Sequence, residues 1–332
     1  MEKKSYDLIH QNEGITRKKI DDNFVYYYIK NNEQVTEHIL NRINKLRIPP
    51  AWTELWISID PSSTIQVIGT DVKGRKQYIY HKKHVDEAEK EKFLRLYKFI
   101  KALPQLEKNI KNHIHYPAYN KYKVITTMLN IVKLLHIRAG KEKYARENKS
   151  YGISSLKKKH IKIIGNTIKF KFKGKSRKIL NYTLTGNQIK EHLQKLLKLE
   201  GEKLFQYIDE NDFIRKVSDT DLNHYIQDFM GQNFTIKDFR TYAANYHFIE
   251  TLLNETKKRT PKNDKVIKKN IINAIKITAH YLRHTKSISK KSYIMNFAIE
   301  LYKSNPEYFI KRKHDDPTDV VLEILRLYRN NN

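Results

Sequence analysis

After Thr167, residues 168–173, Ile-Lys-Phe-Lys-Phe-Lys, alternate apolar and basic side chains without a break, a pattern that admits one backbone. A period of two puts Ile168, Phe170 and Phe172 on one face of a strand and Lys169, Lys171 and Lys173 on the other. Such a strand belongs in an antiparallel sheet with one face buried and one in water. Gly165-Asn166 before it and Gly174-Lys175-Ser176 after it are turn signals, so strands are predicted over 159–164 and 177–183, with Lys175 at a hairpin tip. Most of these lysines need be no more than a solvated face, but a tip is where one lysine can reach a substrate.

Around this sheet the periodicity is helical. Val124, Met128, Ile131 and Leu135 make one stripe, Gly140 is placed to stop the helix, and Arg138 falls where the stripe continues. An arginine there either aims inward or snorkels beside the helix C-terminus. Further helices are predicted over 189–199, over 219–230 between a Ser218 cap and Gly231, and from Thr235 onward. In the last of these Ile236, Phe239, Ala243 and Tyr246 pack inward while Lys237 and Arg240 flank the buried face. Another helix carries His280 and His284, and a Ser/Lys turn at 287–291 then separates His284 from Tyr293. Ser289 is placed to cap a helix whose stripe is Ile294, Phe297, Ala298 and Leu301, which leaves Tyr293 at the stripe's edge. Pro317 opens a final helix. His280 and His284 have the spacing of a metal pair, but no carboxylate stands close as a third ligand and no metal site is assigned.

The N-terminal part reads differently. A strand over 24–29, a helix through Ile39, Leu40, Ile43 and Leu46 ended by Pro49-Pro50, and strands over 55–59, 64–68 and 76–81 are predicted. The last strand puts Gln77 and Ile79 on one face and Tyr78 and Tyr80 on the other. Two aromatics beside the basic turn of Lys73, Arg75 and Lys76 suit either contacts to phosphates and bases or an ordinary sheet face with a solvated turn. The almost wholly polar stretch 81–91 marks the boundary, giving a β-rich domain over 1–85 and a larger, mainly α-helical domain over 86–332. The fold class is α+β.

Charge narrows the function. With 65 Lys+Arg against 36 Asp+Glu the chain carries +29, far more than solubility requires, and a polyanion is the expected partner. No run of about 18 apolar residues and no apolar signal core is present, so a soluble intracellular protein is expected. The absence of cysteine excludes disulfides, thiolate metal sites and cysteine nucleophiles.

One chemistry uses the residues singled out so far. A tyrosine that attacks a DNA phosphate must lose its proton, which positive charge nearby favours. Charge gathering on the non-bridging oxygens calls for guanidinium forks and a histidine, and the departing 5′-hydroxyl needs a proton that a placed lysine can give. Cations that already flank the phosphate leave no need for a metal, and exchanging one phosphodiester for another leaves no need for ATP. Arg138, Lys175, Arg240, His284 and Tyr293 supply that set in chain order.

The segments that hold them, HIRAGKEKYARENKSYGISSLKKKHI, FKGKSRK, IKDFRTYAANYHF and RHTKSISKKSYI, resemble the successive catalytic blocks of the poxvirus-type DNA topoisomerase IB family. IPPAWTELWI and GTDVKGRKQYIYH resemble that family's DNA-clamping domain, in the form also seen in bacterial and giant-virus relatives. The resemblance covers most of 46–300 and implies a catalytic domain related to the tyrosine recombinase fold. It implies a 3′-phosphotyrosyl link at Tyr293, with Arg138, Arg240 and His284 on the scissile phosphate and Lys175, assisted by Arg138, as proton donor. Lys237 and Tyr144 match residues on the DNA backbone, and Gln77, Tyr78 and Tyr80 match the groove-facing strand. A monomeric C-shaped clamp on double-stranded DNA that relaxes supercoils of either sign, with no cofactor and no membrane partner, is implied. So is a place in the virion or cytoplasmic factory of a large DNA virus. The chain departs from the poxvirus pattern at Arg283, where glycine tends to precede the histidine.

Two rivals remain open on the residues alone. Tyrosine recombinases use the same five residue types but usually carry His three positions before the second Arg, where this chain has Lys237. A basic DNA-packaging protein would use the charge without chemistry.

Overall fold

The computed structural model describes residues 13–231 and 233–330. The chain divides into two compact units, residues 1–92 and 93–332.

In the first unit five strands form an antiparallel sheet in the order β2-β1-β3-β4-β5: β1 (Ile15–Ile20), β2 (Asn23–Tyr28), β3 (Thr53–Ile57), β4 (Ile65–Thr70) and β5 (Lys76–Tyr80). Helix α1 (Glu37–Lys45) buries Ile43 against Ile15, Ile57 and Val67. Strand β1 was not anticipated, because its sequence ITRKKI has only its two end residues apolar. Its register comes from full pairing with β2, Ile15 opposite Tyr28 through Ile20 opposite Asn23.

The stretch expected as a linker is helical. Helix α2 (Lys82–Ile114) starts at the polar run and becomes amphipathic only from Phe93, so its first turns show no apolar stripe to read. His84 packs against Tyr80, with ring centroids 5.5 Å apart.

The second unit is mostly helical and is built around α7 (Ile236–Lys258), buried along most of its length. It packs on α3 (Lys121–Leu135), α6 (Asp219–Met230), α8 (Asp264–Tyr281), α11 (Pro306–Lys311) and α12 (Pro317–Asn330). Strands β6 (Ile161–Ile164), β7 (Thr167–Lys173) and β8 (Ile179–Thr185) form the three-stranded antiparallel sheet. Its inner residues Ile168, Phe170 and Phe172 are 0, 1 and 3% exposed, and the three join the main core. Strands β9 (Gln206–Ile208) and β10 (Ile214–Lys216) make a separate two-stranded ribbon. The remaining helices are α4 (Glu142–Asn148), α5 (Asn187–Lys198), α9 (Lys286–Ser292) and α10 (Asn296–Ser304). Among the described residues no helix is long and apolar enough to cross a membrane.

Candidate active site

Helix α7 carries Arg240 into the interior. Its first turn is fixed by Thr235, whose backbone N–H and Oγ1 both donate to Asp238 Oδ2, at 2.8 and 3.0 Å. Arg95 forks onto the same carboxylate, Nε to Oδ1 at 2.7 Å and an NH2 to Oδ2 at 2.8 Å. Arg240 is 3% exposed, deeper than the flanking position its sequence pattern indicates. Its guanidinium donates to the carbonyls of His136 and Leu282 and to His284 Nε2, the last at 2.7 Å. Burial, then the charge of Arg138, lowers its pKa, but a guanidinium stays charged at neutral pH.

Arg138 reaches the same nitrogen by another route. It was expected on a continuing helix, but α3 ends at Leu135 because His136 adopts the left-handed conformation, φ 53°, and caps the helix with its N–H on Val132 O. The chain then leaves regular structure, and the Arg138 carbonyl is held by Ile153 N–H at 2.8 Å. Gly140 is a close approach: a Cβ there would lie 2.4 Å from the backbone of Gly152. From this segment Arg138 NH2 meets His284 Nε2 at 2.6 Å.

Two guanidinium donors on one ring nitrogen require that Nε2 be an acceptor, so the network assigns a neutral His284 with its proton on Nδ1. Burial, then the charges of Arg240 and Arg138, pushes its pKa down to about 3. Where two guanidinium forks converge on one lone pair, an anionic oxygen is the better acceptor.

Tyr293 lies beside this point. Helix α8 ends at Tyr281, Arg283 turns the chain with φ 54°, and His284 N–H closes on Ala279 O at 2.9 Å. His280 and His284 therefore do not share a helix face, and the metal-pair spacing has no counterpart in the fold. The expected Ser/Lys turn is a short helix, α9, capped by Thr285 rather than ended for a Ser289 cap. Ser289 is fully buried, and its carbonyl takes the N–H groups of Tyr293 and Ile294 at 3.2 and 3.0 Å. The half-buried Tyr293 ring sits 4.5 Å from that of His284, and the Arg240 guanidinium carbon lies 5.9 Å from the Tyr293 ring centroid.

Lys175 is at the hairpin tip, closed by Gly174 N–H on Lys178 O at 2.8 Å, and it is exposed. Its charge reaches His284. The structure thus brings Arg138, Arg240, His284 and Tyr293 together, with the charge of the candidate Lys175 felt at His284.

The remaining candidates are placed at surfaces. Tyr144 is 53% exposed on α4, and Lys237 is exposed on the first turn of α7. In the first unit Lys73 is exposed in the turn before β5, and the rings of Tyr78 and Tyr80 stack 6.0 Å apart. Arg75 and Gln77 are held by Asp71, whose Oδ2 accepts from Arg75 Nε at 2.9 Å and Gln77 Nε2 at 2.8 Å. Among the described residues no group of three His, Cys, Asp or Glu is placed to hold a metal ion.

The sequence matches two family models in tandem. Residues 23–71 match the N-terminal domain of bacterial DNA topoisomerase IB, and residues 74–314 match the catalytic core of eukaryotic DNA topoisomerase I. The DNA topoisomerase 1B of Acanthamoeba polyphaga mimivirus is 57% identical over 329 residues, 98% of either chain. The chain belongs to the type IB DNA topoisomerases. The DNA topoisomerase 1B of vaccinia virus (strain Copenhagen) is 32% identical over 240 residues, 71% of this chain and 72% of the viral one. A solved structure of the XerH site-specific recombinase bound to its difH substrate aligns with 61% of this chain and 52% of its own. Its TM-score is 0.35 at 14% identity, too slight a likeness to carry an argument.

As a type IB topoisomerase the chain is an isomerase that acts on DNA, which removes the packaging role. Sequence reasoning passed over one residue that builds the candidate site. Asn245, 1% exposed on α7, donates from Nδ2 to the Tyr293 carbonyl at 3.0 Å and accepts the Met295 N–H at 2.9 Å. A polar residue one position past Ala243 and Ala244 on a buried helix was the available signal, since a buried amide needs partners.

Proposed function

We propose that this topoisomerase relaxes supercoils of both signs by reversible transesterification at Tyr293. Tyr293 Oη attacks the phosphorus of one strand, the Oη–P bond forms and the P–O5′ bond breaks. The tyrosine proton passes to solvent, and Lys175, assisted by Arg138, gives a proton to the departing O5′. Arg138 and Arg240 hold the non-bridging oxygens. His284 joins them once a phosphate anion replaces its lone pair as the acceptor for the two forks and the ring takes a proton from solvent on Nε2, releasing the one on Nδ1, so that Nε2 becomes a donor. The broken strand swivels, and the 5′-hydroxyl attacks the phosphotyrosine to restore the original bond. Bond exchange conserves the phosphodiester, so the cycle draws on no ATP, and four cationic or donor groups stand in for a metal ion.

The observation that carries this reading is the meeting of Arg138 and Arg240 at 2.6 and 2.7 Å on one nitrogen of His284, with the Tyr293 ring 4.5 Å away. Lys73, Arg75, Gln77, Tyr78 and Tyr80, with Tyr144 and Lys237, are proposed to contact the duplex, held by one protein molecule as a C-shaped clamp. A DNA site within an infected cell fits a chain whose relatives are viral.

The test is trapping. Duplex DNA labelled on the cleaved strand and denatured during reaction should yield a protein adduct on the 3′-phosphate end left at the break, mapping to Tyr293. An adduct through a 5′-phosphate, or one that persists in Tyr293→Phe, would overturn the assignment.

A further inference from the structure

Arg283 is an anomaly at the centre of the site. It holds φ at 54°, a left-handed conformation that costs any residue with a Cβ and that glycine adopts freely. The turn is needed to bring His284 N–H back to Ala279 O, but the arginine is not. Its side chain crosses to another element. NH2 donates to the Asn181 carbonyl on β8 at 3.3 Å, and the guanidinium lies 5.4 Å from the centroid of the Tyr182 ring. Nε is buried with no partner, a second local cost. Tyr182 is itself buried, stacked on Phe172, with Arg240, Arg138 and Arg283 around it.

Strand β8 is one arm of the hairpin whose tip carries Lys175. Asn181 pairs with Lys171, and Ile179 with Lys173 closes the ladder just below the tip. Arg283, the residue immediately before His284, is therefore joined through its side chain to the arm that positions Lys175.

We propose that Arg283 is a positioning residue that latches the Lys175 hairpin to the His284 loop, so that the proton donor and the phosphate-holding groups are set together. This rests on the reading of Lys175 as proton donor to O5′. The latch acts on one step only: O5′ leaves as an alkoxide unless Lys175 is in place, whereas attack by Tyr293 and charge stabilisation by the arginines go on without it.

That separation gives the test. A substrate with sulfur in place of the bridging O5′ releases a thiolate, which needs no proton. Single-turnover cleavage of both substrates is measured for the wild type and for Lys175→Ala, Arg283→Gly and Arg283→Lys. Arg283→Gly relieves the backbone strain, so a folded protein with an unchanged or raised melting temperature is expected. It should cleave the oxygen substrate at least about tenfold slower and the sulfur substrate at close to the wild-type rate, the same pattern as Lys175→Ala. Arg283→Lys keeps the charge but lacks the planar fork, and should share the defect. Arg283→Gly that is slowed equally on both substrates, or on neither, overturns the latch while leaving the proposed function intact. Lys175→Ala that stays slow on sulfur removes Lys175 as the donor and the latch with it. A wild type that forms no adduct removes the reading of the reaction itself.

Discussion

Asn245 holds Tyr293 by its backbone rather than its hydroxyl: Nδ2 donates to the Tyr293 carbonyl at 3.0 Å while Oδ1 takes the N–H of Met295 two residues on. One buried amide thereby fixes the chain on both sides of Ile294. Tyr293 has non-helical φ −128° and ψ −45° at the end of α9, where the Ser289 carbonyl holds its N–H and Asn245 holds its carbonyl.

Asn245→Ala should therefore leave Tyr293 chemically intact and poorly aimed. The side chain also donates to the Thr241 carbonyl at 2.8 Å, and loss of these three hydrogen bonds at a buried site should cost about 1–3 kcal/mol of stability. Single-turnover cleavage should slow by about tenfold or more, since small misplacements of a reacting group are costly. DNA affinity should be nearly unchanged. Cleavage at the wild-type rate in a destabilised variant would show that the amide is only structural.

A second prediction concerns the segment that carries Arg138. A Cβ on Gly152 would lie 2.4 Å from the Arg138 carbonyl oxygen and 2.7 Å from Gly140, all backbone atoms. Gly152→Ala must displace one chain or the other, at about 1–3 kcal/mol for overpacking. The hydrogen bond from Ile153 to the Arg138 carbonyl should be lost first. Thermal unfolding should show a lowered midpoint, and cleavage should fall further than stability accounts for at a temperature where the variant is folded. A midpoint equal to that of the wild type would contradict the close approach.

The caps and the sheet were open to sequence reading, and the site's loops were not. Ser218, Gly231 and Thr235 occupy the cap positions assigned to them, because a cap depends on its own few neighbours. The alternation of residues 167–173 fixed which face of β7 is buried for the same reason. Arg138 and His284 are different. Each stands just past a left-handed residue, His136 and Arg283, that stops or turns the chain where no glycine announces it. Apolar periodicity carried both helices too far; the Arg138 segment is set by pairing with Ile153, fifteen residues on, and the His284 loop by a helix-end closure on Ala279 that no residue type announces. Helix α9 escaped because its sequence KSISKKS has a single apolar residue, Ile288, which is exposed.

Acid should loosen the protein through its buried histidines. His284 is held down to about 3 by burial and then by Arg240 and Arg138; His136 is held at about 3 by burial and then by His247 and Arg240. Unfolded, each has the ordinary value of 6.5. Between those values the unfolded chain binds protons that the folded chain does not. Stability is thus complete above about 6.5 and is lost as pH falls toward 3. His113, His160 and His192, also lowered mainly by burial, act in the same direction. The melting temperature should fall between pH 7.5 and 5, before most carboxylates titrate. His136→Gln should make that fall shallower, and an identical fall in the variant would mean that His136 protonates freely in the folded state.

The central claim is most directly tested by relaxation of negatively and of positively supercoiled plasmid, in EDTA and without ATP, by the wild type and by Tyr293→Phe. The account predicts that the wild type relaxes both signs and that the variant relaxes neither while binding the plasmid as tightly. Relaxation by Tyr293→Phe, or a wild type active only when metal or ATP is restored, would contradict it.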